Sequence, residues 1–202
     1  MQTQSADDET VSFAIHCSEQ ISLATANVRL RDQLRDQSTK DPLTGLFNRR
    51  YFLECCREAF ADAERNAGCA GLISFDVDNF KKFNDNHGHD AGDTVLRSIS
   101  EIMVGVCQRI GTPCRYGGEE FTAVFPGLEL EQLREIAEDF RKQVNNLSVR
   151  YGDSILPKTS ISIGLATYPL FGANPQEVLN AADRALYEAK DMGKNCVVVA
   201  SK

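Results

Sequence analysis

The residues Arg115-Tyr116-Gly117-Gly118-Glu119-Glu120-Phe121 lie near the middle of the chain and decide how the rest of it is interpreted. A short strand-like run, Thr112 to Tyr116, precedes the paired glycines, and an apolar run, Phe121 to Phe125, follows the glutamates. Paired glycines allow positive φ between strand-like segments, so we expect two strands joined by a tight turn. Adjacent carboxylates there are costly unless a cation lies beside them, and hard oxygen ligands suit magnesium. A solvated hairpin tip with two exposed glutamates is the alternative.

A second acidic stretch, SFDVDNFKKFNDNHGHDAGD, runs from Ser74 to Asp93. Asp76 and Asp78 follow the apolar run Leu72 to Phe75 and are two residues apart. Because side chains alternate along a strand, we expect both carboxylates on one face and Val77 on the other. Acidic residues at the end of a buried strand, beside a glutamate-bearing hairpin, are a standard means of holding magnesium against nucleotide phosphates. For the two aspartates alone, a strand end and helix cap is the alternative.

Together, these stretches resemble the GGDEF-domain diguanylate cyclases, here with the variant signature Gly117-Gly118-Glu119-Glu120-Phe121. The resemblance runs from about Asp41 to the C-terminus and includes six further blocks in the family's order. The blocks are Asp41-Pro42-Leu43-Thr44-Gly45-Leu46-Phe47-Asn48-Arg49-Arg50, Phe75-Asp76-Val77-Asp78-Asn79-Phe80-Lys81, Asn84-Asp85, Gly88-His89-Asp90-Ala91-Gly92-Asp93, Ser162-Ile163-Gly164-Leu165-Ala166 and Ala182-Asp183-Arg184-Ala185-Leu186-Tyr187-Glu188-Ala189-Lys190.

The composition limits the class of protein. The chain has 202 residues, of which 42% are apolar and 25% charged, which suits one soluble globular domain with an appendage. Its net charge of −7 argues against a nucleic-acid-binding surface, which would be basic. Seven cysteines without CxxC spacing indicate reduced thiols and a cytoplasmic location. We expect no membrane segment, because no stretch approaches the ~20 consecutive apolar residues of a span, and no signal peptide.

Residues 1–37 are predicted to form a signalling and dimerisation helix ahead of a catalytic domain at residues 38–202. Between Val11 and Gln37 there is no Pro or Gly, and apolar residues recur at alternating spacings of three and four, as in a coiled-coil seam. The two apolar rows contain Ala14, Cys17, Ile21, Ala24 and Val28, and Leu23, Leu30 and Leu34 with the polar Asn27. A helix folded back on its own domain is the alternative. The resemblance favours a homodimer and an upstream sensory module.

Periodicity along the rest of the chain predicts an α/β (α+β) fold. The predicted helices cover residues 48–66, 79–85, 91–110, 130–147 and 175–192, and the predicted strands outside the hairpin cover 69–75, 159–167 and 196–200. Strands interleaved with helices, plus one central hairpin, give a mixed sheet covered by helices. The resemblance implies five strands in a fold related to nucleotidyl-cyclase and polymerase palms.

The resemblance also implies the reaction and its metal. Two GTP molecules would be joined into cyclic di-GMP with release of two pyrophosphates, by a dimer of half-sites that each use two Mg²⁺ ions, with Mn²⁺ as an alternative. The implied metal ligands are Asp76, the carbonyl of Val77, Glu119 and Glu120. Glu119 is also the implied proton acceptor. Lys81 and the backbone N–H groups around Phe80 would meet phosphate oxygens at a helix start, and Lys81 would act in catalysis by offsetting transition-state charge. A solvated surface lysine is the alternative for Lys81.

Further residues match the family's substrate contacts. Asn84 and Asp93 match its guanine-reading pair, and a carboxylate and an amide suit the donors and acceptors of that base. His89 matches another substrate contact, with a helix-capping role as the alternative. Lys190 and Lys194 match cations that reach the β- and γ-phosphates. The family often has arginine at the latter position, and lysine keeps the charge without the bidentate fork.

One departure from the family concerns regulation. Many members bind inhibitory product at Arg-x-x-Asp, with five residues between its aspartate and the first signature glycine. Gln108 and Gly111 occupy those two positions here, and Arg109 is one place out of register, so we expect no tight product inhibition there. Two other functions stay open: a catalytically silent domain that binds GTP or cyclic di-GMP, and another nucleotidyl cyclase, although Asn84 and Asp93 argue against adenine.

Overall fold

The computed structural model describes residues 39–108 and 110–201, together with residues 13, 16, 18, 20–23 and 25. Its contacts divide the chain into two units, Met1–Thr39 and Lys40–Lys202. In the first unit, the described residues from 13 to 25 are helical, and Ile21 and Leu23 have exposed side chains. The other members of the two apolar rows lie outside the described residues, so a dimerisation helix remains a prediction.

A mixed sheet of six strands carries the second unit. In chain order the strands are β1 (Phe47–Asn48), β2 (Ala70–Val77), β3 (Thr112–Arg115), β4 (Glu120–Pro126), the short separate hairpin β5 (Arg150–Tyr151) and β6 (Ser154–Ile155), β7 (Ile161–Tyr168) and β8 (Val197–Val199). The order across the main sheet is β1-β3-β4-β2-β7-β8, and only the β1–β3 and β7–β8 pairs are parallel. The predicted mixed sheet with a central hairpin is confirmed. It has six strands instead of five because β1 and its two residues are too short to show a periodic pattern.

Five described helices cover the two faces of this sheet. They are α1 (Arg49–Arg65), α2 (Phe80–His87), α3 (His89–Cys107), α4 (Leu130–Asn146) and α5 (Pro175–Asp191). Ile73, Phe75 and Val77 of β2 pack with α2, α3 and α4, whereas Leu72 packs with α1 and α5. Because side chains alternate, Asp76 belongs to the α1/α5 face. None of the helices in the described part of the chain is long and apolar enough to cross a membrane.

Side-chain caps mark where two of these helices begin. The Asn48 side chain accepts a hydrogen bond from the Tyr51 N–H at the start of α1, and Asn174 does the same for Glu177 at the start of α5. Side-chain caps of this kind satisfy backbone donors that have no partner inside the helix. The predicted bounds differ from the observed ones by up to three residues, as at α3, which ends at Cys107 and not at residue 110.

Helix α5 lies directly against strand β7 at Gly164. A Cβ atom at Gly164 would lie 2.1 Å from the Ala182 carbonyl oxygen and 2.2 Å from the Leu186 nitrogen. These are backbone atoms of a packed helix, so they cannot move aside cheaply, and only glycine fits. This close approach sets the height of α5 above the sheet, and therefore the position of Lys190 near its end.

Candidate active site

The signature residues form the turn between β3 and β4. The N–H groups of Tyr116 and Gly117 donate to the Glu120 carbonyl oxygen at 2.8 and 3.1 Å. Neither Gly117 nor Gly118 has a positive φ, so the expectation that the paired glycines supply left-handed backbone is wrong. A Cβ atom at Gly117 would lie 2.9 Å from Oε2 of Glu120. The Glu120 side chain therefore packs close to Gly117, although an exposed carboxylate could move aside for a larger residue.

Arg115, whose role the sequence leaves open, braces this turn. Its Nε and Nη2 atoms donate to the Gly118 carbonyl oxygen at 3.0 and 2.7 Å, and its Nη1 atom lies 3.1 Å from Oδ1 of Asp41. The same Asp41 oxygen accepts from the N–H and hydroxyl of Thr44. Burial alone would raise the pKa of Asp41, but the bonds from Thr44 and the pair with Arg115 bring it below its usual value.

Helix α1 supports the turn through the ring of Tyr116. The guanidinium carbon of Arg49 lies 4.6 Å from the centre of this ring, and the Phe52 ring meets it edge-on at 6.2 Å between centroids. Both contacts favour one ring position, because a cation prefers the face of an aromatic ring and a second ring prefers its edge. The turn is thus held by Arg115 through its backbone and by Tyr116 through packing.

The backbone brings the three predicted metal carboxylates to neighbouring positions where this turn lies beside the end of β2. Asp76 is the direct antiparallel partner of Glu120, and the Val77 N–H donates to the Glu119 carbonyl oxygen at 3.3 Å. Asp76 is only 6% exposed, and its Oδ1 atom lies 3.0 Å from the ammonium nitrogen of Lys190. The structure therefore brings Lys190 to these carboxylates.

The electrostatics of this group favour a cation. Burial raises the pKa of Asp76, Lys190 opposes that rise, and the neighbouring Glu120 and Asp78 carboxylates add to it. Burial likewise raises the pKa of Glu119, and the charge of Asp76 adds to the effect. A divalent cation would offset both, and oxygen donors suit Mg²⁺. Within the described residues, no three His, Cys, Asp or Glu side chains already form a group that could hold a metal, so other donors would have to complete the set.

Asp78 differs from Asp76 in its surroundings. Its Oδ1 atom accepts from the Ser162 hydroxyl at 2.6 Å, and its Oδ2 atom accepts from the Ser160 hydroxyl at 2.6 Å and the Asn195 N–H at 3.0 Å. Asp78 is only 6% exposed. The expected acidic pair at the strand end thus divides into a carboxylate paired with Lys190 and a carboxylate that joins protein segments.

The start of α2 is the predicted phosphate contact. Asn79 precedes it with a φ of 57°, and its side chain forms no capping hydrogen bond to the helix. Lys81 lies in the first turn and is exposed, and its ammonium forms no hydrogen bond or ion pair with another described residue. His89 is also exposed and is the first residue of α3, where Gly88 occupies the N-cap position and no side chain caps the helix. The alternative that His89 caps a helix is therefore wrong.

The predicted guanine-reading residues lie on adjacent helices. The Asn84 Oδ1 atom of α2 is buried and has no hydrogen-bond partner among the described residues. A Cβ atom at Gly92 of α3 would lie 1.9 Å from that oxygen, and Asp93 is the next residue along α3. Buried polar atoms are nearly always hydrogen-bonded, so this amide oxygen, packed against Gly92, is an exception among the described residues.

The family model for "Diguanylate cyclase, GGDEF domain" matches residues 38–196. This chain belongs to the GGDEF-domain diguanylate cyclase family. The "Probable diguanylate cyclase DgcT" of Escherichia coli K12 is 37% identical over 161 residues, which are 79% of this chain and 35% of that protein. The response regulator PleD of Caulobacter vibrioides is 37% identical over 169 residues, which are 83% of this chain and 37% of that protein.

A solved structure has the same fold. The coiled coil and GGDEF domain of DgcB from Caulobacter crescentus, in complex with c-di-GMP, has a TM-score of 0.81 and 32% identity, covering 91% of this chain and 99% of that one. The chain spans only about a third of the length of DgcT and PleD. The similarity to DgcT and PleD therefore concerns their GGDEF domains and not their full length.

The predicted phosphate cations of this GGDEF domain separate in the structure. Lys190 contacts Asp76, as described above, whereas the Lys194 ammonium donates to Oδ1 of Asn79 at 2.6 Å. Lys194 has a φ of 67° and lies in the loop between α5 and β8. One cation thus lies beside the metal carboxylates, and the other lies beside the start of α2.

A cleft of about 230 Å³ adjoins the carboxylates and was not predicted. Its lining includes Ser74, Glu120, Thr122, Asp183, Tyr187 and Lys190. Burial raises the pKa of Asp183, a hydrogen bond with Ser74 lowers it, and the charge of Glu120 raises it. From the sequence, Asp183 is only one polar position of an amphipathic helix. It becomes a candidate site residue only when α5 packs against β2 and β4.

Gln108 and Gly111, which stand at the two positions of the family's product site, have different structural surroundings. Gln108 ends α3 with a φ of 41°, and a Cβ atom at Gly111 would lie 2.5 Å from the Phe125 ring. Arg109 lies outside the described residues. A side chain at Gly111 would therefore have to displace a buried aromatic ring, which agrees with the glycine found there.

Proposed function

We propose that this GGDEF domain is a diguanylate cyclase that condenses two GTP molecules into cyclic di-GMP and releases two pyrophosphates. The observation that carries the proposal is the neighbouring position of Asp76, Glu119 and Glu120 near Lys190, in a chain with the family's signature. Three carboxylates beside one ammonium leave a net negative charge, which suits the binding of a metal and a triphosphate together.

Each of the two steps would be attack by a ribose 3′-hydroxyl on the α-phosphorus of the other GTP. The new bond joins the 3′-oxygen to phosphorus, the bond to the β-phosphate oxygen breaks, and pyrophosphate leaves with its electron pair. Glu119 is the proposed acceptor of the hydroxyl proton. Its raised pKa favours this role, because a stronger base accepts a proton more readily.

The proposed metal ligands are the carboxylates of Asp76, Glu119 and Glu120 and the carbonyl of Val77. Two Mg²⁺ ions per half-site, or Mn²⁺ in their place, would neutralise phosphate charge and favour ionisation of the attacking hydroxyl. The donors fit a hard cation in type, and oxygens of the triphosphate would complete the set. In the absence of a metal, Lys190 supplies the positive charge at Asp76.

Substrate recognition would involve both sides of α2. Lys81, the backbone N–H groups around Phe80, and Lys194 would contact phosphate oxygens. This proposal is supported by Asn79, which leaves the start of α2 uncapped and accepts a hydrogen bond from the Lys194 ammonium. Asn84, Asp93 and His89 would contact the guanosine. The unpartnered Asn84 oxygen supports a polar base at this place.

Two half-sites must face each other for each hydroxyl to reach the partner's phosphorus, and the symmetry of the product implies a two-fold homodimer. We propose that residues 1–37 bring the two domains together and connect them to an upstream sensory module. Deletion of residues 1–37 should preserve GTP binding and lower the specific activity at low protein concentration. Unchanged specific activity after the deletion would contradict a dimerisation role.

We also propose that product inhibits this protein only weakly through Gln108 and Gly111, which cannot supply the family's Arg and Asp. Addition of cyclic di-GMP at submicromolar concentration should leave the initial rate unchanged. Submicromolar inhibition that is lost when Arg109 is substituted would contradict this proposal.

The described cysteines are free thiols, which supports a reducing, cytoplasmic setting.

Incubation of the chain with GTP and Mg²⁺, followed by mass analysis of the products, tests the proposed activity. Cyclic di-GMP and pyrophosphate are expected from GTP, and no cyclic product is expected from ATP. A bound but unreacted GTP would instead support the silent signalling domain, and a cyclic mononucleotide would support another nucleotidyl cyclase.

A further inference from the structure

The loop that carries Lys194 has an unusual backbone. Gly193, Lys194 and Asn195 have successive positive φ values of 110°, 67° and 48°. The N–H groups of Gly193 and Lys194 donate to the carbonyls of Lys190 and Ala189, which ends α5 in a Schellman motif with glycine at its usual position. Lys194 and Asn195 continue in the left-handed region, where residues with a Cβ atom need support from their surroundings.

Asp78 supplies this support from the end of β2. Its Oδ2 atom accepts the Asn195 N–H at 3.0 Å, and the hydroxyls of Ser160 and Ser162 donate to its two oxygens at 2.6 Å each. Three donors thus converge on one buried carboxylate, and one of them is the backbone of the left-handed loop. Hydrogen bonds to an ionised acceptor are stronger than those between neutral groups, which suits a strained segment.

The side chain of Asn195 attaches the same loop to α4. Its Oδ1 atom accepts from Nη1 of Arg141 at 2.9 Å, and its Nδ2 atom donates to Oδ1 of Asn145 at 3.3 Å. Asn195 therefore contacts two elements, α4 through its side chain and the Asp78 carboxylate through its backbone. These contacts fix the position of Asn195 and so limit the directions that the side chain of the preceding residue, Lys194, can take.

The side chain of Lys194 extends to Asn79, the residue that follows Asp78. The Lys194 ammonium donates to Oδ1 of Asn79 at 2.6 Å, and Asn79 is itself left-handed, with a φ of 57°. Three non-glycine residues in the left-handed region therefore meet at the start of α2, and Asp78 is bonded to one of them and adjacent in sequence to another. Strained backbone of this kind is concentrated at functional sites.

We propose that Asp78 is a positioning residue that acts through Lys194. Its carboxylate holds the Gly193–Asn195 loop so that the Lys194 ammonium lies at the start of α2, where it can contact the terminal phosphates of a nucleoside triphosphate. This role rests on the proposed function, since it places the triphosphate at α2. It separates Asp78 from Asp76: the first orients a cation-bearing loop, and the second is a metal ligand.

The test is a double-mutant cycle read by nucleotide binding. The affinities of the full chain and of its Asp78→Ala, Lys194→Ala and doubly substituted variants would be measured by calorimetry with Mg²⁺ present, for GTP in the form of its 3′-deoxy analogue, which lacks the attacking hydroxyl and cannot be condensed, and for GMP. Asp78→Ala and Lys194→Ala should each weaken GTP binding about tenfold and change GMP binding by less than about twofold, since GMP lacks the terminal phosphates. The double variant should bind GTP no more weakly than Lys194→Ala alone.

Two further variants control for a purely structural effect. Asp78→Asn keeps an oxygen that can accept the Asn195 N–H, so it should restore most of the GTP affinity. Asn195→Gly keeps that N–H and adopts the positive φ easily but loses the side-chain bonds to α4, so it should weaken GTP binding less than Asp78→Ala does. If Asp78→Ala does not fold, Asp78→Ser can replace it in the cycle, because its shorter side chain keeps a polar group at the buried site but cannot accept the Asn195 N–H as the carboxylate does.

Equal losses of GTP and GMP affinity in Asp78→Ala would overturn the positioning role, because a general loss of fold would affect both nucleotides. Multiplying losses in the double variant would also overturn it, because Asp78 would then act independently of Lys194. Neither result depends on turnover. A chain that binds GTP and forms no cyclic di-GMP would overturn the proposed cyclase activity and leave the positioning role standing.

Discussion

The Nη1 atom of Arg115 lies 3.1 Å from Oδ1 of Asp41, although 74 residues separate the two in sequence. Their side chains are only 16% and 19% exposed. Asp41 belongs to the turn at the very start of the second unit, and Arg115 also donates two hydrogen bonds to the Gly118 carbonyl of the signature turn. The first turn of the domain is therefore joined through one guanidinium to the turn that carries Glu119.

Arg115→Lys should lower the turnover number more than the affinity for GTP. An ammonium cannot reach the Gly118 carbonyl and Asp41 with the geometry of a guanidinium fork, so the turn would lose its fixed position. We expect kcat to fall about tenfold and the free energy of unfolding to fall by about 1–2 kcal/mol, the usual cost of lost hydrogen bonds. Steady-state kinetics and urea unfolding measure the two effects.

Arg65→Lys is the matched control for that change. Arg65 pairs with Asp62 within α1, and both side chains are well exposed, so its substitution should alter neither quantity. The pKa of Asp41 lies below its usual 3.8, so the stabilisation from its pair is present above pH 3.8 and is lost as the pH falls through the folded-state value. A stability difference between Arg115→Lys and the unsubstituted chain that grows on acidification would contradict this account.

Gly92→Ala should impair guanine recognition from outside the binding site. Its new Cβ atom would lie 1.9 Å from Oδ1 of Asn84 and would force that amide to turn away. We expect KM for GTP to rise about tenfold, as it should in Asn84→Ala, because each change removes one buried hydrogen bond to the base. Asn86→Ala, on the exposed side of the same helix, should leave KM unchanged. A normal KM in both Gly92→Ala and Asn84→Ala would remove Asn84 from the substrate site.

Gly164→Ala and Gly105→Ala should have opposite effects on stability. The first places a Cβ atom 2.1 Å from a backbone oxygen of α5, and the second adds one within α3 where no atom lies within 4 Å. We expect Gly164→Ala to cost about 3 kcal/mol or more and Gly105→Ala to stabilise the protein by about 0.5–1 kcal/mol, by better helix propensity. Thermal unfolding distinguishes the two. Equal stability of both variants would contradict the close packing of α5 on β7.

Glu119→Gln should stabilise the metal-free protein at neutral pH. Burial and the charge of Asp76 raise the pKa of Glu119 above its usual 4.5, so folding disfavours its ionised form. That cost is fully present above the folded-state pKa and disappears as the pH falls towards 4.5. In the presence of a chelator we expect Tm to rise by about 1–3 °C at pH 7.5, a small change because the group is partly exposed and therefore screened.

Glu135→Gln, on the exposed face of α4, is the control for that change and should leave Tm unaltered. The difference between Glu119→Gln and the unsubstituted chain should shrink between pH 7.5 and pH 4.5. A lower Tm at pH 7.5, or a difference that increases on acidification, would show that the Glu119 carboxylate stabilises the folded state without a metal.

The sequence predicts the fold well because its signals are local. The apolar run of β2, the helical periods of α1 and α5 and the turn residues between β3 and β4 each depend on neighbours along the chain. Strand β1 and the β5–β6 hairpin were missed because two-residue strands have no period. The conformation of Gly117 was predicted wrongly because paired glycines allow a positive φ but do not require one.

The site was less predictable where it depends on elements far apart in sequence. The sequence picks out Asp76 and Asp78 as an equivalent pair, yet the serines at 160 and 162 and the N–H of Asn195 approach only one of them. The contacts of Arg115 with Asp41 and of Lys194 with Asn79 likewise need the assembled fold. Resemblance to a family supplies the residue types of a site, and the packing of distant loops decides which of them are free to act.

The most direct test of the proposed catalytic site compares Glu119→Gln with the unsubstituted chain at saturating GTP and Mg²⁺, with cyclic di-GMP and pyrophosphate measured over time. The unsubstituted chain should form one cyclic di-GMP for every two GTP consumed. Glu119→Gln should form it about a thousandfold more slowly, with an unchanged circular dichroism spectrum, because it lacks both a metal ligand and the proton acceptor. Near-normal turnover by the folded variant would contradict the assignment of the hairpin turn as the catalytic centre.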